Sequence, residues 1–123
     1  MHALIVDDST TIRMVLAMHL KKFGFDVTEA ANGRDGLDRL REMDRADLVL
    51  VDWNMPEMDG ISFIRAVRAE DDYAGLPLMM VTTNTELAQV SQALEAGANE
   101  YIMKPFTRDM LREKLELLGF LQT

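Results

Sequence analysis

Short apolar runs alternate along the chain with longer stretches in which apolar residues recur three or four positions apart. The first pattern is typical of buried strands, and the second of helices with one buried face. We therefore predict that strands alternate with helices along the whole chain. Gly24, Gly97 and Gly119 follow three of the helical stretches, where glycine is a common stop signal. The predicted strands cover residues 3–7, 25–29, 47–52, 76–82 and 99–103, and the fourth helix covers residues 86–96.

Five strands alternating with five helices indicate an α/β fold. The expected architecture is a five-stranded parallel sheet with helices on both faces, because each right-handed crossover returns a helix to the sheet. The strand at 47–52 is almost continuously apolar, as burial on both sides requires. In such sheets, ligands bind at the carboxyl ends of the strands. The residues that fall at such ends are Asp7, Asp8, Asp52, Thr82 and Lys104.

The length and composition narrow the class of protein. The 123 residues fit one domain, 1–123, with no output domain. With 21 acidic and 13 basic side chains the net charge is -8, which disfavours binding to nucleic acid or to an anionic membrane. The absence of cysteine excludes disulfides and cysteine-ligated metals. We find no secretory leader and no apolar stretch of transmembrane length, so we expect a cytoplasmic protein.

Two predicted strands end in carboxylates, since Asp7 and Asp8 follow the first strand and Asp52 closes the third. If these groups lie about 5 Å apart, each pair repels by roughly 3 kcal/mol at an effective dielectric constant near 20. A cation would offset this repulsion. Oxygen ligands without histidine or cysteine suit a hard divalent ion, and we predict Mg²⁺, with Mn²⁺ as an alternative. Taken singly, each aspartate could instead be a turn or helix-capping residue.

Lys104 and Thr82 would bring an ammonium group and a hydroxyl group to the same edge. Lys104 could contact a phosphate oxygen, or it could form a plain salt bridge with one of the acids. A carboxylate can attack phosphorus, and a metal ion, a lysine and a hydroxyl together neutralise charge on a transferring phosphoryl group. The cluster therefore predicts a site that forms an aspartyl phosphate.

The order and spacing of these residues resemble the receiver domain of the two-component response-regulator family. The resemblance covers essentially the whole chain, and in size the chain is similar to single-domain members that act in chemotaxis. It implies a flavodoxin-like fold with strand order 2-1-3-4-5. The matching elements are Asp7-Asp8, the segment Asp52-Trp53-Asn54-Met55-Pro56 with Asp59-Gly60, Thr82, Tyr101, and Lys104-Pro105-Phe106.

The resemblance implies a role for each residue at the acidic edge. Asp52 would accept a phosphoryl group from a phosphohistidine on a sensor histidine kinase or a phosphotransfer protein. Asp8, Asp52 and the backbone carbonyl of Asn54 would bind Mg²⁺, with Asp7 helping directly or through water. Lys104 would contact the phosphoryl group. The chain would catalyse only its own phosphorylation and dephosphorylation, and would not be an enzyme in the ordinary sense.

The resemblance also implies how the signal leaves the site. Thr82 would move towards the new phosphoryl oxygens, and Tyr101 would turn inward into the space that Thr82 vacates. This change would reshape the face formed by helix four, strand five and helix five, which would bind a downstream target protein. The chain would be a monomer or a phosphorylation-dependent dimer.

Three further positions are predicted to tune the rates of phosphorylation and dephosphorylation. Thr83 stands where the family usually has a small residue, and its branched side chain could crowd access to the phosphoryl group. Asn54 and Asn84 lie two residues beyond Asp52 and Thr82, where the family varies side chains that flank the attacking water.

Three alternatives compete with this interpretation. A metal-dependent phosphatase or hydrolase would usually carry a second acid two residues after the nucleophilic aspartate, and Asn54 occupies that place. A pseudo-receiver that works without phosphorylation would not need the complete set of acids, hydroxyl and lysine. The chain could also be the isolated receiver of a longer regulator, although Met1 and the residues after Gly119 suit a stand-alone protein.

Overall fold

The computed structural model describes residues 1–83 and 87–121. Five parallel strands form one sheet in the order β2-β1-β3-β4-β5, and five helices and one short 3-10 helix (Asp71–Tyr73) connect them. This confirms the predicted flavodoxin-like fold and its strand order. The strands are β1 (His2–Val6), β2 (Asp26–Ala30), β3 (Leu48–Asp52), β4 (Leu78–Thr82) and β5 (Glu100–Met103). The helices are α1 (Thr10–Lys22), α2 (Gly33–Glu42), α3 (Gly60–Arg68), α4 (Leu87–Ala96) and α5 (Arg108–Leu117).

Each predicted strand overlaps the observed one, and the differences at the ends have local causes. Phe25 was expected in the second strand, but its N–H donates to the carbonyl of Leu20 and closes the end of α1. Pro77 was expected in the fourth strand, but it has no N–H for the ladder, and only its carbonyl accepts a bond from Val49 N. Strands β2 and β4 therefore begin later than predicted.

Two apolar layers cover the two faces of the sheet. Alternate residues of the inner strands point to opposite faces, so Leu4 and Val6 join one layer while Ala3 and Ile5 join the other. Helices α2, α3 and α4 cover the first layer, and α1 and α5 cover the second. Because both faces are covered, the polar site is confined to the edge where the strands end.

The predicted glycine stops are confirmed. Gly24, Gly97 and Gly119 follow α1, α4 and α5 with φ values of +95°, +122° and +93°, a region that other residues enter only with strain. Within the described ranges, no helix is long and apolar enough to span a membrane.

Candidate functional site

Strand β3 delivers Asp52 to the carboxyl edge of the sheet. All five residues of β3 are buried, because the strand lies between β1 and β4 with apolar layers above and below. Asp52, its last residue, is only 7% exposed. The apolar run that precedes this carboxylate in the sequence thus fixes it at the end of a central strand.

The loop between β1 and α1 holds the other two acids. Asp7 is 1% exposed, whereas Asp8 is exposed. Asp7 Oδ1 accepts a hydrogen bond from Ser9 N at 2.8 Å, and Ser9 in turn caps α1 by accepting from Ile12 N at 3.2 Å. Arg13 Nη1 donates to the backbone carbonyl of Asp7 at 2.6 Å. The loop is therefore held by bonds to its own helix.

Lys104 joins the two buried acids. Its Nζ lies 3.2 Å from Asp7 Oδ2 and 3.2 Å from Asp52 Oδ1, and its side chain is 14% exposed. Its backbone N–H donates to the carbonyl of Thr82 at 2.7 Å, which ties the end of β5 to the end of β4. The sequence left open whether Lys104 forms a salt bridge, and the structure shows that it bridges two carboxylates at once.

The three carboxylates form a compact cluster. Asp7, Asp8 and Asp52 each offer an oxygen atom, and these atoms lie within 4.8 Å of one another. Burial raises the pKa of Asp52 above its ordinary value, and the neighbouring Asp7 and, less strongly, Asp8 add to this rise, while Lys104 opposes it. One ammonium group does not balance three acids. The donor set contains only oxygen atoms and has the composition of a site for a hard divalent cation.

The remaining predicted residues differ in how deeply they are buried. Thr82 is buried at the end of β4, and Thr83 after it is exposed. Tyr101 on β5 is half-buried and packs against the apolar layer under α4. Asn54 lies exposed in the loop after β3. The predicted position Asn84 lies outside the described residues.

Two contributors to the site were not assigned a role from the sequence. Gly60 N donates to the carbonyl of Trp53 at 3.0 Å, and a Cβ at Gly60 would collide with the carbonyl oxygen of Asp52. The loop that follows Asp52 can fold back onto β3 only with glycine there. Arg13, five residues after Asp8 in the sequence, was given no role there, and its guanidinium holds the loop through the backbone carbonyl of Asp7.

Comparison with known proteins agrees with this geometry. The family model for the response regulator receiver domain matches residues 3–116. A chemotaxis protein CheY homolog of Campylobacter jejuni is 45% identical over 117 residues, which cover 94% of this chain and 90% of the relative.

Solved structures agree as well. The chemotaxis protein CheY4 of Vibrio cholerae superposes with a TM-score of 0.89 at 34% identity, covering 95% of this chain and 97% of that one. A probable two-component system response regulator/GGDEF domain protein superposes with a TM-score of 0.90 at 31% identity, covering 97% of this chain but 49% of that one. The match to the family model and the 45% identity to a chemotaxis relative that is covered over 90% of its length lead to one conclusion: the chain belongs to the family of response regulator receiver domains.

Proposed function

We propose that Asp52 accepts a phosphoryl group from a phosphohistidine on a sensor histidine kinase or a phosphotransfer protein. The observation that carries the proposal is the buried Asp52 carboxylate at the end of β3, with Lys104 Nζ 3.2 Å from it and two further acids beside it. An oxygen of Asp52 forms the new bond to phosphorus while the bond from phosphorus to the histidine nitrogen breaks. The electron pair of that bond stays with the imidazole.

The residues of the chain that support this transfer have separable tasks. Lys104 is already held by Asp7 and Asp52, so its ammonium needs little reorganisation to meet an equatorial phosphoryl oxygen. Asp7 has one oxygen on Ser9 N and the other on Lys104, so its charge holds the lysine in place. These contacts fix the positive charge before the phosphoryl group arrives.

The acidic cluster would hold Mg²⁺ or Mn²⁺. The exposed Asp8 and the second oxygen of Asp52 are the direct ligands we propose, together with the backbone carbonyl of Asn54. Asp7, whose oxygens already accept hydrogen bonds, would act through water or as a weaker ligand. When bound, the ion would supply Lewis-acid neutralisation of the charge on the transferring group.

The switch is proposed to run from Thr82 to Tyr101. Thr82 is the last residue of β4, and its carbonyl accepts a hydrogen bond from Lys104 N. Tyr101 on β5 lies opposite Met80, which is two residues before Thr82 on β4. Movement of Thr82 towards a phosphoryl group and of Tyr101 inward would change the face of α4, β5 and α5, where a downstream target protein would bind. Phosphorylation would act on a monomer or drive dimerisation through this face.

Rate tuning is proposed for Asn54, Thr83 and Asn84. Asn54 and Thr83 are exposed and follow the carboxyl ends of β3 and β4, where an attacking water could reach them. Replacing Asn54 or Asn84 should change the lifetime of the phosphorylated protein without abolishing phosphorylation. Equal lifetimes in both variants and the wild type, followed by intact mass spectrometry, would defeat this assignment.

The family to which the chain belongs consists of signalling domains rather than enzymes that turn over a separate substrate. We propose that the chain works as a single receiver domain. The alternative, a receiver within a longer regulator, is supported by the relative of which this chain covers 49%. In either case the chemistry at Asp52 would be the same.

The direct test uses Trp53, the single tryptophan, which is half-buried and follows Asp52 in the chain. We expect Mg²⁺ and then beryllofluoride or a small phosphodonor to change its fluorescence, and the phosphodonor to add the mass of one phosphoryl group. Asp52→Asn should abolish the response to the phosphodonor. The matched control is Asp38→Asn, which removes an exposed carboxylate of α2 and should respond like the wild type.

The metal ligands are tested separately. Asp8→Ala should weaken the Mg²⁺ titration, while Asp38→Ala should not. If Asp52→Asn still gained a phosphoryl group at the wild-type rate, the proposed acceptor would be wrong. If Asp8→Ala bound Mg²⁺ with wild-type affinity, the ligand assignment would be wrong.

A further inference from the structure

Tyr101 is held by a pair of charged side chains that have no part in the acidic site. Lys114 on α5 places its Nζ 4.5 Å from the centre of the Tyr101 ring, on the ring face. The same Nζ lies 2.8 Å from Glu100 Oε1. Glu100 Oε1 also accepts a hydrogen bond from the backbone N–H of Tyr101 at 3.1 Å. One carboxylate therefore binds both the ammonium group and the backbone of the residue whose ring that ammonium covers.

The position of β5 makes this arrangement possible. β5 is one of the two edge strands, and within the described residues no further strand pairs with its outer side. Tyr101 points to the α4 face of the sheet, while its neighbour Ile102 belongs to the apolar layer on the α5 face. Lys114 starts from α5, and its ammonium group reaches the tyrosine ring on the other face. The Lys114 side chain can reach the other face only because β5 is at the edge of the sheet, where the side chain can pass beside the strand.

The contacts are partly shielded from water. The side chains of Lys114 and Glu100 are 26% and 19% exposed, against 51% and 47% for Arg112 and Glu116, an ion pair on the same helix. Shielding strengthens both the ion pair and the attraction of a cation for an aromatic face. The exposed pair offers a matched control of the same charge type.

We propose that Lys114 and Glu100 form a latch that holds the Tyr101 ring at the edge of β5 and opposes its inward movement. The inference rests on the proposed function, in which that movement accompanies phosphorylation of Asp52. A contact made in one state and lost in the other shifts the equilibrium by its own free energy. The latch would therefore lower the affinity of the whole site for a phosphoryl group or its analogue.

The contact itself can be tested without any phosphodonor. Protons above an aromatic ring resonate upfield, so the ε-methylene protons of Lys114 should be shifted upfield in the NMR spectrum of the wild type. Tyr101→Leu should return them to the usual position of lysine, and Glu100→Gln should return them part of the way. The same protons of the exposed Lys22 serve as the control. Unshifted Lys114 resonances in the wild type would overturn the latch.

The regulatory effect is measured by titrating beryllofluoride in the presence of Mg²⁺ and following Trp53 fluorescence. Lys114→Met and Glu100→Gln should each bind the analogue roughly two- to fivefold more tightly, the range of a partly exposed cation–aromatic contact. Lys114→Arg should stay near the wild type, because a guanidinium also pairs with carboxylates and stacks on rings. Arg112→Met, the control, should leave the affinity unchanged.

The two proposals fail in different ways. A wild type that does not respond to beryllofluoride would overturn the proposed function. A wild type that responds, with unchanged or weaker affinity in both Lys114→Met and Glu100→Gln, would overturn the latch alone. Because Glu100→Gln keeps the size and much of the hydrogen bonding of the side chain, it provides the test even if Lys114→Met does not fold.

Discussion

Replacing Asp52 by asparagine should make the metal-free protein more stable, although it should destroy the proposed function. The substitution keeps the shape of the side chain and removes one charge from the acidic cluster. Lys104 keeps its contact with Asp7, so its ammonium group is not left without a partner. The expected gain comes from relief of a repulsion that the fold maintains at the edge of the sheet.

The size of the gain follows from the distances. At 4.8 Å or less, Asp52 repels each of its two acidic neighbours by about 3.5 kcal/mol at an effective dielectric constant near 20. At 3.2 Å, Lys104 attracts it by about 5 kcal/mol. These terms leave about 2 kcal/mol against the charged carboxylate, and its burial adds to that cost. Because Asp8 is exposed, solvent screens its share, and we expect a net gain of about 1 to 2 kcal/mol.

The gain should depend on pH in a defined direction. The pKa of Asp52 in the folded protein is raised above its ordinary value of 3.8, chiefly by burial. Between that value and the raised pKa, the folded state holds a proton that the unfolded state has lost, so wild-type stability falls as the pH rises. The advantage of Asp52→Asn should therefore be complete above the raised pKa, shrink as the pH falls, and disappear below 3.8.

Urea and thermal denaturation in EDTA at pH 7 measure this effect. A gain of 1 to 2 kcal/mol corresponds to a rise in Tm of about 4 to 8 °C for a domain of this size. Added Mg²⁺ should stabilise the wild type more than the variant, which narrows the difference. Asp38→Asn, which removes an exposed charge of α2, should change stability little. If Asp52→Asn were no more stable than the wild type in EDTA, the electrostatic account of the cluster would be refuted.

Three further predictions concern other features of the fold, each tested by urea denaturation. Gly60→Ala should lose about 2 to 3 kcal/mol because its Cβ would meet the Asp52 carbonyl, whereas Gly75→Ala, whose Cβ meets nothing within 4 Å, should be tolerated. Arg68→Met should lose about 3 kcal/mol, because the guanidinium donates to three backbone carbonyls and a side-chain amide, and Arg68→Lys should recover only part of the loss. Glu57→Asn should gain about 0.5 to 1 kcal/mol, because Glu57 has a φ of 69°, and equal stability would contradict strain there.

The sequence predicts the order of helices and strands well because each element is indicated by a short local pattern of residues. The apolar run that ends at Asp52 and the glycine at Gly24 are signals spanning a few residues, and both lie where the structure needs them. The observed boundaries differ where a hydrogen bond decides, as at Phe25, whose N–H closes a helix instead of opening a strand. The partner of such an N–H depends on which carbonyl lies nearby in the fold, and the periodicity of apolar residues carries no information about that.

The sequence predicted which residues lie at the same edge of the sheet, but it did not predict which of them contact one another. Asp7 and Asp8 are identical neighbours in the sequence, yet one is buried and bound to Lys104 and the other is exposed. Their difference depends on the direction of the chain as it leaves β1. Glu100 and Lys114 gave no signal at all, because a charged pair separated by fourteen residues resembles any other surface charges until α5 is laid against β5.

Strand β5 links the acidic site to the proposed switch, because charged side chains bind it near both of its ends. Lys104, just past its carboxyl end, is bound to Asp7 and Asp52, and Tyr101 near its start is bound by the latch. In the described part of the chain it pairs with β4 alone, so fewer backbone bonds oppose its movement than oppose movement of β3. If a phosphoryl group at Asp52 binds the ammonium group of Lys104, the contacts at the carboxyl end of β5 change. The contacts of the latch at the other end then oppose the movement of the strand. The strength of the latch, rather than the chemistry at Asp52, would then set how readily phosphorylation changes the face of α4, β5 and α5.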